Sequence, residues 1–262
     1  MQNSFHEQLS SGKFLLGTII SLGSPEIVEL LAACGFDWLF IDMEHGALDY
    51  TTAQRMIMAA GNNSACVLRV PNNDEVWIKK ALDLGPAGII IPQLRTKADA
   101  ENAVRYSKFP PEGERSVGIA RAHGYGMDFN DYIQRANDEV SLILQVEHIQ
   151  AVENIDSILQ VEGFDALLVG PYDLSGSMGI IGQIDDPKVV NAISEVRARC
   201  QEANVPLGIF AANIETARLY IEEGFKLMAV GMDMMLLGGA AMGVVNSLQD
   251  NRAVGTSKNV RQ

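Results

Sequence analysis

The sequence predicts a single-domain α/β protein built as a (β/α)8 (TIM) barrel. Three observations carry this expectation. Short apolar, β-branched runs alternate with capped helical stretches along the chain. Eight such runs fit within 262 residues, the strand count and length of a (β/α)8 barrel. Each run is apolar on both faces, as a parallel strand covered on both sides must be. A doubly wound open sheet is the alternative, but it usually has fewer strands at this length, and no Gly-x-Gly-x-x-Gly turn follows the first run.

The first run, LLGTII (Leu15–Ile20), precedes SPEIVELLAACG, where Ser24 supplies an N-cap, Pro25 the first helical position and Gly35 the stop. WLFID (Trp38–Asp42) precedes TTAQRMIMAAG, which ends at Gly61. CVLRV (Cys66–Val70) precedes NDEVWIKKALDLG, from Asn73 to Gly85. GIII (Gly88–Ile91) is the fourth run, and after it the alternation breaks. Residues Pro110 to Asp138 are rich in Gly, Arg and aromatics, and a connection this long in a compact domain is expected to be a lid or binding loop. LILQVE (Leu142–Glu147), ALLVG (Ala166–Gly170), PLGIF (Pro206–Phe210) and LMAVG (Leu227–Gly231) complete the eight. Further helices open at Asp186-Pro187 and at Asn213. MLLGGAAMGVVNSL reads as a final helix, and residues 249–262 as a polar, mobile tail.

Composition narrows the function. Twenty Lys and Arg against 33 Asp and Glu leave a formal charge of −13, which repels phosphate backbones and anionic lipid and argues against nucleic-acid or membrane partners. The N-terminus is polar, without a signal-peptide core, and the apolar stretches are too short to span a bilayer. Three cysteines (Cys34, Cys66, Cys200), odd in number and far apart, fit a reducing cytoplasm.

In such barrels the active site lies at the carboxyl ends of the strands. The second run ends at Asp42, followed by Glu44 and His45; the third carries Arg69; the fourth leads to Pro92-Gln93. The fifth carries Gln145 and ends at Glu147-His148; the sixth enters GPYDLSGSMG with Asp173; the eighth enters GMDMM with Asp233. Acids crowded on one rim repel unless a cation compensates them. Hard oxygen donors suit Mg2+ or Mn2+, with Glu147 and Asp173, from adjacent strands at similar depth, as the expected ligands. Glu44 is either a water-mediated neighbour of that cation or an ion-pair partner. His148 is either a donor behind Glu147 or a surface residue, and Asp233 either touches substrate or caps a helix. His123 is expected to be a solvated loop residue, and Met232, Met234 and Met235 to serve packing. None of the lysines falls at a strand end, which argues against Schiff-base chemistry.

The motifs IDMEHG, LRVP, LQVE, GPYDLSGSMG and VGMD, in this order and spacing, resemble the HpcH/HpaI family of metal-dependent (class II) pyruvate aldolases, from about Gly17 to Leu248. The resemblance implies a carbon–carbon lyase that reversibly cleaves 4-hydroxy-2-oxo acids to pyruvate, or hydroxypyruvate, and an aldehyde. It implies a divalent cation (Mg2+, Mn2+ or Co2+) held by Glu147 and Asp173, chelated by the 2-oxo acid and stabilising its enolate. Backbone N–H groups at Tyr172 and Asp173 would bind the carboxylate, and Arg69 would face the oxygen on which negative charge develops. His45 would act as acid and base, oriented by Asp42, with Gln145 near the substrate and Asp83 reaching the site of an adjacent subunit. The family's assembly implies a homo-oligomer, a hexamer built as a trimer of dimers, with the last helix packed on a neighbour. Tyr172 stands where many relatives have a small residue. Two alternatives remain open: enolate chemistry on oxaloacetate, by decarboxylation or citrate-synthase-like condensation, and a non-catalytic barrel that binds a 2-oxo acid.

Overall fold

The computed structural model describes residues 4–256, with side-chain surroundings for residues 4–249. Eight parallel strands pair in chain order and close on themselves: β1 (Leu15–Ile20), β2 (Trp38–Asp42), β3 (Ala65–Arg69), β4 (Gly88–Leu94), β5 (Ser141–Val146), β6 (Ala166–Val169), β7 (Leu207–Ala211) and β8 (Leu227–Met232). Helix α1 (Phe5–Ser10) precedes the barrel, and α2 (Pro25–Ala33), α3 (Tyr50–Ala60), α4 (Glu75–Asp83) and α5 (Lys97–Ser107) follow the first four strands. Helix α6 (Phe129–Glu139) leads into β5, and α7 (Ile149–Glu153) and α8 (Ile155–Ile158) follow it. Then come α9 (Pro171–Ser177) and α10 (Pro187–Ala203), α11 (Ile214–Glu222), and α12 (Asp233–Thr256) after β8. The barrel and the single domain follow the sequence expectation.

The helix punctuation works as the sequence spells it. The Ser24 hydroxyl accepts from the Ile27 N–H with Pro25 in the first turn, and Asp49, Asp186 and Asn213 cap α3, α10 and α11. Asp74, one residue inside the expected start, caps α4. Gly35 takes φ +95° just past α2, a conformation that costs an L side chain strain.

Apolar side chains fill the barrel interior, including Leu15, Trp38, Phe40, Val67, Ile143 and Leu168, while Phe5 and Leu9 of α1 join them at the amino-terminal end. Gly17 makes room for the Trp38 indole, since a Cβ there would stand 2.5 Å from the ring. The carboxyl ends of the strands stay open to polar side chains, and this is where a site can form.

Two expectations are corrected. Residues 110–138 are not a loop over the chain's own strand-end mouth. Its last third is α6, preceded by a 3-10 turn at Arg121–Gly126. Arg115 stacks on Phe109 (4.4 Å) and lies 5.7 Å from the Tyr132 ring, and Arg121 donates to the carbonyls of Leu84 and Gly85, beside the amino-terminal end of β4. His123 is not a solvated residue: it is fully buried, 4.6 Å from the Tyr132 ring and 5.5 Å from that of Phe129. Burial and the Arg115 charge hold its pKa below the usual histidine value, against a smaller opposing pull from Asp83.

The expected final helix exists as α12, and the described part of the expected tail continues it; residues 257–262 lie outside the described residues. Met234, Met235, Leu236, Leu237, Met242 and Leu248 of α12 are exposed. No described helix is long and apolar enough to cross a membrane.

Candidate active site

The pairing of β2 with β3 sets Asp42 opposite Arg69 at the carboxyl ends of the two strands. That register creates a buried ion pair: Arg69 donates to Asp42 through Nη2 (2.8 Å) and Nε (3.0 Å). The same guanidinium lies 3.2 Å from Glu44 Oε2 and donates to Gln145 Oε1 at 3.4 Å. Burial opposes the Arg69 charge, but Asp42, Glu44 and Glu147 outweigh it and raise its pKa. A fixed, desolvated cation with planar donors therefore sits on the floor of the mouth.

Glu147 follows β5 and is buried. Its Oε1 accepts from the Gln93 N–H at 2.6 Å and its Oε2 from Gln145 Nε2. Burial pushes its pKa up to about 7; the Gln93 hydrogen bond and Arg69 pull the other way, while Glu44 and Asp173 push further up. Asp173 stands exposed in the first turn of α9, lining the same cavity. Gly170, just before α9, leaves space for the pair: a Cβ there would stand 3.1 Å from Gln145 Nε2 and 3.2 Å from Glu147 Cβ.

These residues line a cavity of about 290 Å3 bounded by Glu44, His45, Gln93, Arg95, Glu147, His148, Asp173 and Ser177. The structure thus brings Glu147, Asp173, Glu44 and His45 to one mouth, with Arg69, Gln145 and Asp42 beneath it. Tyr172 is exposed at its edge, 6.2 Å from the Phe210 ring.

The expected Asp42–His45 dyad is not formed. Asp42 Oδ1 accepts from the backbone N–H groups of Glu44 and His45, and both of its oxygens are held by Arg69. The exposed His45 ring instead lies 3.9 Å from Glu44 Oε2. Asp42 therefore positions the His45 backbone, and Glu44 is the acid beside the imidazole. Asp233 is a structural tether: it accepts from the N–H groups of Ser21, Leu22 and Met234, tying the turn after β1 to the start of α12. Within one chain Asp83 stands at the opposite end of the barrel, at the end of α4, 3.1 Å from Arg115 Nη2.

Gln93 is the site residue whose role the sequence did not reveal. The β4–β5 register shifts between Ile91 and Leu94, and Gln93 takes φ +59°. This left-handed turn, strained for a non-glycine residue, accompanies its N–H bond to Glu147, while Nε2 donates to Glu44 Oε1 at 3.2 Å. Proline followed by a polar residue inside an apolar run was the available signal for the bulge.

The donor set fits a hard divalent cation. Glu44 Oε2 is buried with the Arg69 ion pair but no hydrogen bond to satisfy it, and Glu147 is an acid whose ionisation its surroundings oppose. Among the described residues no group of three or more His, Cys, Asp and Glu could by itself hold a metal. Two carboxylates completed by water and substrate oxygens is the arrangement Mg2+ or Mn2+ accepts, and an all-protein zinc cage is not available.

The raised acid has a measurable consequence in the metal-free protein. Its pKa in the folded chain exceeds the unfolded value, so ionising it costs stability. The penalty is absent below the ordinary glutamate value of about 4.3, grows through about 7 and is complete above that. In EDTA, thermal unfolding of Glu147→Gln is expected to gain on wild type steadily from pH 4 to pH 8. A difference that stays constant over this range contradicts the assignment.

Residues 16–240 match the model of a family described as HpcH/HpaI aldolase/citrate lyase. Over 261 residues the chain is 37% identical to a 4-hydroxy-2-oxo-heptane-1,7-dioate aldolase of Shigella flexneri, covering 98% of this chain and 97% of that protein. It is 36% identical over 249 residues to a 5-keto-4-deoxy-D-glucarate aldolase of Escherichia coli O6:H1, covering 94% and 97%. A crystal structure of an HpcH/HpaI aldolase/citrate lyase family protein from Burkholderia cenocepacia J2315 superposes with a TM-score of 0.91 at 37% identity, over 95% of this chain and all of that one.

Proposed function

The chain belongs to the HpcH/HpaI aldolase/citrate lyase family and is a carbon–carbon lyase of aldolase type; on that premise we propose that it reversibly cleaves 4-hydroxy-2-oxo acids to pyruvate, or hydroxypyruvate, and an aldehyde, with Glu147 and Asp173 holding a divalent cation. The observation that carries the reading is the crowd of Glu147, Asp173 and Glu44 in one strand-end cavity above a buried Arg69. When bound, the cation supplies Lewis acidity toward the oxygens of the 2-oxo acid.

The chain's own residues do the rest. Gly170 offers no side-chain cap to α9, which supports a role for the N–H groups at Tyr172 and Asp173 in receiving the substrate carboxylate. Arg69, locked by Asp42, holds its donors where negative charge builds on the keto oxygen. Gln145 bridges Arg69 and Glu147 and fixes their separation. His45 Nε2 takes the C4-hydroxyl proton in cleavage and returns it in addition, with Glu44 stabilising the charged ring. The exposed apolar residues of α12 support docking onto a second copy of the chain, within a homo-oligomer of hexameric order, and Asp83 would act across such a contact. Three free cysteines suit a reducing cytoplasm.

A pyruvate-release assay over a panel of 4-hydroxy-2-oxo acids tests the reading. Activity should disappear in EDTA and return with Mg2+, Mn2+ or Co2+. Full activity in EDTA, or borohydride trapping of pyruvate on a lysine, overturns it.

A further inference from the structure

We propose that residues 121–139 form an acid-sensitive element: they close over an uncharged His123 and release from the barrel when that ring takes up a proton, while the barrel itself stays folded. The inference is independent of the aldolase reading above.

The element is built as a satellite of the barrel. Phe109, Tyr132 and Ala136 form a small buried apolar cluster of their own, separate from the cores inside and around the barrel, with Ala122, Ile133 and Val140 packed against it. Polar ties hold its two ends. Arg121 donates to the carbonyls of Leu84 and Gly85, and Lys108 Nζ donates to the Asn137 carbonyl. The Asn137 amide exchanges two hydrogen bonds with the Phe109 backbone, at 2.8 and 3.0 Å. A unit with its own small core can open without unfolding the domain that carries it.

His123 sits in the middle of the closure. It is fully buried between the Tyr132 and Phe129 rings, at 4.6 and 5.5 Å. Among the described residues neither ring nitrogen has a hydrogen-bond partner, and the neighbouring Arg115 Nε is also buried without one. A neutral imidazole carries one donor and one acceptor, and leaving both unpaired in a buried place is costly. An apolar ring would pack there without that cost. What the imidazole adds is the capacity to charge.

A charged ring is poorly accommodated while the element is closed. The groups that face it are Arg115 from the preceding loop, Asp83 from the end of α4 and Tyr132 of α6. Arg115 repels an imidazolium, and Asp83, the opposing charge, is already engaged by Arg115 at 3.1 Å. Asp128, at the start of α6, is paired with Arg135. The backbone adds strain next to the ring: Gly124, Tyr125 and Gly126 follow it with φ of +58°, +57° and +96°, and Tyr125 is the side chain forced into the left-handed region. Such a turn persists only while the packing around it does. Opening returns the ring to an ordinary histidine value of about 6.5, whereas the closed element holds it lower. The open form therefore binds more protons, so closure is fully stable above that value and weakens as the pH falls below it.

Hydrogen–deuterium exchange of the full chain tests this, read as protection factors corrected for the intrinsic pH dependence of amide exchange. Between pH 7.5 and pH 5.0 the amides of α6 should lose about 30-fold of their protection, the factor for an open form that titrates near 6.5 and a closed form that stays uncharged. Amides of β2 and β7 should keep theirs. His123→Phe retains an aromatic ring and every neighbouring charge, and should make the α6 protection independent of pH over the same range. His123→Leu repeats the comparison with a smaller side chain, and the wild-type comparison of α6 with the strands needs no variant. Constant α6 protection in wild type, an equal loss in the folded variants, or loss of protection in β2 and β7 together with α6 overturns the proposal.

Discussion

Glu147→Ala is expected to bind no divalent cation that calorimetry can detect, and to lose about 10³-fold or more of its pyruvate-release activity. Glu147 is the buried one of the two proposed ligands, and two neighbours, Gln93 and Gln145, aim its oxygens. Removing it leaves Asp173, exposed on a short helix, as the remaining proposed ligand. One carboxylate in water-accessible surroundings holds Mg2+ or Mn2+ weakly, because these ions give up their hydration shell reluctantly. Full occupancy of Mn2+ in the variant would remove Glu147 from the ligand set. The change should not unfold the chain, since Glu147 ionises against its surroundings and its loss relieves a repulsion with Glu44 and Asp173.

Arg69→Met should lower kcat by about 10²- to 10³-fold, the range seen when one preorganised donor to a developing oxyanion is removed. It should also cost about 3–5 kcal/mol of stability, because Asp42 is left buried and Glu44 loses its partner. The two effects separate in a double variant. Asp42→Asn with Arg69→Met keeps an oxygen to accept from the Glu44 and His45 N–H groups and removes the stranded charge. It should recover part of the stability and none of the activity, read by urea unfolding and by steady-state kinetics. Recovery of activity along with stability would assign Arg69 a purely structural role.

The architecture was legible because each β/α unit carries its own punctuation. Ser24-Pro25, Asp186-Pro187 and Asn213 open helices where their side chains can reach the first N–H groups, and the apolar runs between them are short and β-branched. Strand ends then act as a filter, and Arg69, Glu147 and Asp173 pass it on position alone. The partners of those residues were not legible, because strand register and backbone conformation choose them. Register sets Asp42 opposite Arg69, and the arginine takes the acid that the family resemblance assigns to His45. A left-handed turn at Gln93, hinted at only by Pro92-Gln93 inside an apolar run, gives Glu147 its 2.6 Å hydrogen bond. His123 lies in a polar-looking stretch, and its burial depends on Phe129 and Tyr132, brought over it by a helix that sequence length suggested was a loop. The crowding that raises Glu147 involves Glu44, just after β2, and Asp173 of α9, which the chain brings together only through the closed barrel, so no local pattern records it.

The most direct measurement is anomalous diffraction from crystals grown with Mn2+ and pyruvate. A single strong peak is expected between the carboxylates of Glu147 and Asp173, with oxygen ligands at about 2.1 Å and the 2-oxo acid bound on the Arg69 side. A peak at another place on the chain, with those two carboxylates turned away from it, would contradict the central claim.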